Sequence, residues 1–119
     1  SIDSRLVSAL SDLAPVWNGV KEDLEQDPAD EPETYYTFQY STRGIGHADD
    51  EPTGEVVSIH LHLWAPLSKN MTSLIRQTKA AVHEAGFTWP EKTDATDDKG
   101  RHIVFEFQDV IGVDIDGGI

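Results

Sequence analysis

The sequence predicts a small α/β (α+β) domain, a mixed and largely antiparallel sheet with helices packed on one face, in the order α-β-β-α-β. Three runs, YYTFQY (35–40), EVVSIHLHLW (55–64) and HIVFEF (102–107), alternate their side chains with the period of two that a half-buried strand requires. One amphipathic segment, MTSLIRQTKAAVHEAG (71–86), lies between the second and third runs. A second helical pattern precedes them all.

That first pattern is Ile2, Leu6, Leu10 and Leu13, recurring at three or four residues with Val7 and Ala9 beside them. Pro15 ends it, because proline has no N–H to give the helix. Trp17 and Val20 return the chain to the edge of the core, and KEDLEQDPADEPE (21–33) is too acidic and proline-rich for a regular element and reads as an exposed loop. In the first strand Tyr36, Phe38 and Tyr40 oppose Tyr35, Thr37 and Gln39. The stretch 41–54 places Gly44, Gly46, Pro52 and Gly54 around Asp49, Asp50 and Glu51. It reads as a hairpin loop well beyond the usual two to five residues or so, a length associated either with disorder or with touching a partner.

In the second strand Val57, Ile59, Leu61 and Leu63 fall on one face, and Ser58, His60, His62 and Trp64 on the other. Pro66 stops this strand, and Ser68 or Asn70 supplies a cap for the central helix. The helix carries one apolar stripe of Leu74, Ile75, Thr78, Ala81, Val82 and Ala85, and Gly86 suits the left-handed position that closes it. In the third strand Ile103, Phe105 and Phe107 oppose His102, Val104, Glu106 and Gln108. The helical stripe is expected on the face bearing Ile59, Leu61 and Phe105, with Trp64, Phe87 and Trp89 filling the core around the helix ends. The other face, with Tyr35, Trp64 and Val104, then meets water or another subunit. Val113 and Ile115 form a candidate edge strand ahead of Gly117-Gly118.

A chain of 119 residues suits one domain and buries roughly two-thirds of its unfolded surface. Within it, 1–20 form the N-terminal helix and its connection, 35–111 the sheet-helix core and 112–119 a tail. No apolar run approaches the roughly 20 residues that cross a bilayer, and the first residues do not read as a secretion signal. With no cysteine there is no disulfide and no thiolate metal site, which favours a cytoplasmic setting. The 22 Asp and Glu against 9 Lys and Arg give a formal net charge of −13, clustered at 22–33, 49–51 and 94–98. A binder of nucleic-acid phosphate needs a basic patch to release counterions, so tight DNA binding is excluded. The acidic clusters read as solvated loops whose carboxylates titrate normally.

Candidate chemistry is sparse. His60 and His62 share a strand face, and His102 and Glu106 lie on the matching face of the third strand, a set of donors of the type that holds zinc. Histidines hydrogen-bonded on a half-buried face are the commoner explanation. Ser58 or Ser68 lacks any G-x-S-x-G elbow, Gly44-Ile45-Gly46 lacks the third glycine and helix of a dinucleotide loop, and there is no Walker A pattern. Nothing here supports an enzyme or names a cofactor.

The succession of YYTFQY, ADDEP, VVSIHLHLWAP, Asn70 and Arg76 in the helix, AGFTWP and GRHIVFEF resembles the tail terminator, or tail completion, proteins of long-tailed bacteriophages and prophages. The likeness spans about residues 35–108. It implies a non-catalytic structural protein that forms a hexameric ring, caps the tail tube, ends its polymerisation and offers the surface that joins the head. The implied partners are further copies of the chain, the tail tube protein and the head-tail connector, with DNA passing through without tight binding. The implied location is the virion tail, assembled in the bacterial cytoplasm. The family has no strict binding motif to carry over, so the residues nominated for interfaces come from charge and position: Arg43, His47, Asp49, Asp50, Glu51, His60, His62, Trp64 and Arg76. Two other readings stand beside it, a metal-binding or hydrolytic domain built on His60, His62 and His102, and a monomeric adaptor that binds a peptide or ligand on the polar sheet face.

Overall fold

The computed structural model of this chain describes residues 1–19, 34–48 and 51–111. It contains α1 (Ile2–Leu10), β1 (Val16–Asn18), β2 (Tyr35–Ala48), β3 (Glu51–Ala65), α2 (Thr72–Glu84), β4 (Glu91–Asp94) and β5 (Arg101–Ile111). The strands form one sheet in the order β1-β2-β3-β5-β4, antiparallel throughout except for the parallel β1–β2 pair. This is the mixed α+β architecture expected from the sequence, with two short strands, β1 and β4, added at its edges.

The central register follows the alternation. Tyr36 pairs with Leu63 and Phe38 with Leu61, while Leu61 pairs with Phe105 on its other side. Tyr36, Phe38, Ile59, Leu61, Leu63, Ile103 and Phe105 are therefore stacked on one face and buried. Both helices cover it: Leu6 and Leu10 of α1 and Val82 of α2 belong to the same cluster, with Leu74, Ile75, Ala81 and Ala85 packed at its margin. Thr78 is buried among them without penalty. Its hydroxyl donates to Leu74 O at 2.7 Å and accepts from the Tyr36 hydroxyl at 2.7 Å. Burial pushes the Tyr36 phenol up to about 12, so it stays a neutral donor.

Local rules set the helix ends. The Ser1 hydroxyl accepts from the Ser4 N–H at 3.2 Å and caps α1. At α2 the N-cap residue Met71 has no capping side chain, and the capping oxygen comes from Asn70, whose Oδ1 accepts from the Thr72 N–H at 3.0 Å. At the other end Gly86, with φ of 99°, lets its own N–H return to His83 O and the Phe87 N–H return to Val82 O.

The guanidinium of Arg5 joins three elements at that helix end. It donates to Asp109 Oδ2 on β5 at 2.5 Å and to Ala85 O at 2.9 Å, and lies 4.1 Å above the Phe87 ring centre. Asp109 continues the core-facing alternation of Ile103, Phe105 and Phe107, and Arg5 is the cation that compensates its burial.

Four expectations need correction. Residues 41–48 and 51–54 are strand rather than loop: β2 and β3 stay in register from Tyr35↔Trp64 to Ala48↔Glu51. Continuing the ladder satisfies backbone groups that a loop would leave to water, and this outweighs the glycines and Pro52. Tyr40 is 40% exposed rather than core, because its hydroxyl reaches Asp3 at 2.6 Å beyond the edge of the cluster. Trp89 is 55% exposed and meets His83 edge-on instead of filling the core. The carboxylates of 94–98 do not all titrate normally. Hydrogen bonds from Thr96 hold Asp94 below the usual range, and the Lys99 N–H does the same for Asp97. Val20, the 21–33 segment, Asp49, Asp50, and the candidate strand at Val113 and Ile115 lie outside the described residues.

Leu61 sits at the centre of both ladders with none of its surface exposed. Leu61→Ala is expected to cost about 2–5 kcal/mol in denaturant unfolding, and a loss below about 1 kcal/mol would show that this face is not the core.

Candidate functional site

The second sheet face carries a row of rings that the register lines up across the strands. Tyr35 of β2 pairs with Trp64 of β3, which pairs with His102 of β5. Directly opposed residues on one face come within about 5.5 Å at Cβ, so their rings stack. Trp64 lies over His102 with centroids 3.8 Å apart and planes 10° from parallel, and over Tyr35 at 6.4 Å. Trp17 of β1 meets Tyr35 edge-on at 5.6 Å, which extends the row onto a fourth strand. The indole N–H of Trp64 donates to Thr37 Oγ1 at 3.0 Å. Tyr35 and Thr37 are fully buried and Trp64 half-buried, so this end of the face is better covered than the sequence suggested.

The histidines divide into two pairs. His62 Nδ1 and His102 Nε2 share a hydrogen bond at 2.8 Å, in which one ring must donate and the other accept. His60 instead faces Glu106 on the neighbouring strand, with Nε2 and Oε2 3.5 Å apart and both side chains about half exposed. Glu91 of β4 stands directly across from Glu106, so His60, Glu106 and Glu91 form a second row. The four-donor set of His60, His62, His102 and Glu106 is thus split. Two nitrogens 2.8 Å apart are also closer than the roughly 3.3 Å expected of neighbouring ligands on a tetrahedral zinc with 2.0–2.1 Å bonds. Among the described residues no group of three or more His, Asp or Glu is placed to hold a metal ion.

The pKa of His62 is lowered from its ordinary 6.5, first by burial and then by the neighbouring His102 and His60. Both effects disfavour the imidazolium, so the pair is arranged to hold at most one charge. What results chemically is a flat stacking surface with a proton-sharing pair at its centre.

The other nominated residues are spread apart. Arg43 is exposed on β2 and Arg76 is exposed on α2, on the opposite side of the sheet. His47 and Glu51 lie on the two strands near the hairpin tip, where His47 is opposite Pro52 and Glu51 opposite Ala48. Trp17 and Thr37 belong to the aromatic row although neither was nominated. Comparison with protein-family models and with curated proteins returns no match for this chain.

Two outcomes follow from the histidine geometry. Because His62 binds fewer protons folded than unfolded, its contribution is complete above about pH 6.5 and is lost as pH falls from there toward its lower folded value. The melting temperature is therefore expected to drop over that window by more in the native chain than in His62→Gln, and parallel curves would contradict this. Chelation by EDTA is expected to leave the melting temperature unchanged and elemental analysis to find no stoichiometric zinc, whereas tightly bound metal lost in His62→Ala would establish the metal-binding reading.

Proposed function

We propose that this chain is a structural virion subunit that closes into a hexameric ring on the end of a long-tailed phage's tail tube. There it stops polymerisation and presents the surface that joins the head. The observation that carries the reading is a sheet that, among the described residues, is finished on one face and unfinished at its edges. Both helices lie on the face of Ile59, Leu61 and Phe105, while the outer strands are only three and four residues long against neighbours of 14 and 11. Open edges invite pairing, and closure of a ring removes them.

The resemblance noted over residues 35–108 supplies the identity of the assembly, and the charge is compatible with it. A formal net charge of −13 per subunit repels DNA phosphate and lets it slide through a channel. The same charge resists assembly, and the Debye length falls from about 10 Å at 0.1 M salt to about 3 Å at 1 M. Ring formation is therefore favoured by salt or by the tube itself. The partners on this reading are the tail tube protein and the head-tail connector, and no catalytic step or cofactor is required.

Electron microscopy of the purified protein mixed with its cognate tail tubes tests the proposal. A ring of density at one tube end is expected. Tubes that reach normal length and join heads in the absence of this protein would sink it.

A further inference from the structure

We propose that the flank between α2 and β4 is a basic docking surface, and that its occupant is a second copy of this chain, met head to tail through its acidic residues 22–33. This rests on the ring reading above and names the two sides that meet.

Five of the nine lysines and arginines gather on that flank. Lys69 and Arg101 line a cleft at the start of α2 together with Thr72, Ile75 and Asp94. Further along the helix His83 meets the ring of Trp89, two residues ahead of β4. Thr72, Ile75 and His83 therefore mark the side of α2 that looks toward β4. Lys79 stands four residues from both Ile75 and His83, and Arg76 stands four from Thr72, so both cations share that side. Lys92 joins them from the sheet, because it is paired with Phe105 on the face that the helices cover. The other side of α2 looks toward α1: Gln77 shares a groove with Asp12, and Glu84 shares one with Ser4 and Ser8.

These cations have no anion of their own. Among the described residues the ion pairs are Arg5 with Asp109 and His60 with Glu106, so none of the five is paired. Asp94 lies among them, held below the usual carboxylate range by Thr96 first and then by the charges of Lys92 and Arg101. Elsewhere in the chain four cations stand against 21 acids. A second copy therefore brings the complementary charge with it.

Topology selects the part of that copy. Residues 22–33 carry seven acids and no cation. The chain enters them after Gly19, beside β1, and leaves them at Thr34, beside β2, while β1 forms the edge of the sheet farthest from β4. Within one subunit their points of attachment are up to four strand spacings, about 19 Å, from the basic flank. Rotation about a ring axis brings subunits together head to tail and sets the β1 side of one against the β4 side of the next. Because the two patches sit at opposite edges, a two-fold contact would instead set like charge on like. Salt screens the long-range repulsion between acidic chains before it screens charges in contact, so this attraction survives where the repulsion has gone.

Two variants and their mixture test the contact. Arg76→Glu with Lys79→Glu reverses the flank, and Glu22→Lys with Asp23→Lys and Glu25→Lys reverses the segment. Under conditions in which the native chain forms rings, each variant alone is expected to lower ring formation at least about tenfold, because like charges then face each other across the contact. An equal mixture is expected to restore it, since in an alternating ring each native flank meets a native segment and each reversed flank a reversed one. Restoration would also show that both variants fold, and native mass spectrometry would count the copies. Either variant forming rings alone at the native yield would overturn the contact and leave the ring reading intact, as would a mixture that stays monomeric. Duplex DNA bound by the native chain and lost by the flank variant would overturn it in favour of nucleic-acid phosphate. A native chain that stays monomeric at every salt concentration and on tail tubes would remove the ring and the contact together.

Discussion

Strand β3 is paired along both edges and covered on one face, so its register is the constraint on which the rest depends. A slip of one residue would carry His60, His62 and Trp64 beneath the helices and turn Ile59, Leu61 and Leu63 outward. Each of those three aliphatic side chains is essentially fully buried, an environment worth about 1.5–3 kcal/mol apiece relative to exposure. The same register that protects them builds the Tyr35–Trp64–His102 row on the reverse side. Core and candidate surface are two readings of one alternation, and a substitution that shifted the ladder would change both.

The helices need a second device, because an apolar stripe fixes which side of a helix faces the sheet but only weakly fixes where along the sheet it sits. Arg5 supplies that position. Its guanidinium reaches the last turn of α2 through Ala85 O, the sheet through Asp109, and the loop after the helix through the Phe87 ring. The fork geometry of an arginine makes such a three-way contact possible where the single ammonium of a lysine would satisfy one partner well. Gly86 belongs to the same arrangement, since a Cβ there would stand 3.1 Å from the Arg5 Nη2 atom in addition to being strained at its positive φ.

The legible part of this architecture was the part written with period two or with a three-and-four spacing. The three long strands, both helices, the covered face and the left-handed Gly86 all follow from patterns confined to one stretch of chain. The hairpin beyond Ser41 did not, because glycine and proline mark turns in isolation and yield to a ladder already running on both sides. β1 and β4 were missed for a related reason: VWN and EKTD carry no alternation of their own, and they are strands because β2 and β5 offer them an edge. The split of the histidines into His62–His102 and His60–Glu106 depends on which residues of β3 and β5 lie opposite each other, a long-range fact. One signal was available and unused. Asp109 follows Ile103, Phe105 and Phe107 at the same spacing, and a carboxylate on a core face announces a buried cation elsewhere, which is Arg5.

The position of β5 has a consequence for how this chain comes off the ribosome. In space β5 lies between β3 and β4, yet it is the last of the described elements to be synthesised. Until it emerges, the β2–β3 hairpin stands with one long edge of β3 unpaired and with Phe38, Ile59 and Leu61 lacking the Phe105 and Ile103 side chains that close the core between them. A nascent chain in that condition displays both an unpaired strand and an apolar surface, the two features by which incomplete chains find one another. The acidity of the segments that have already left the ribosome by then, 22–33 and 49–51, gives neighbouring nascent chains a reason to stay apart during that interval.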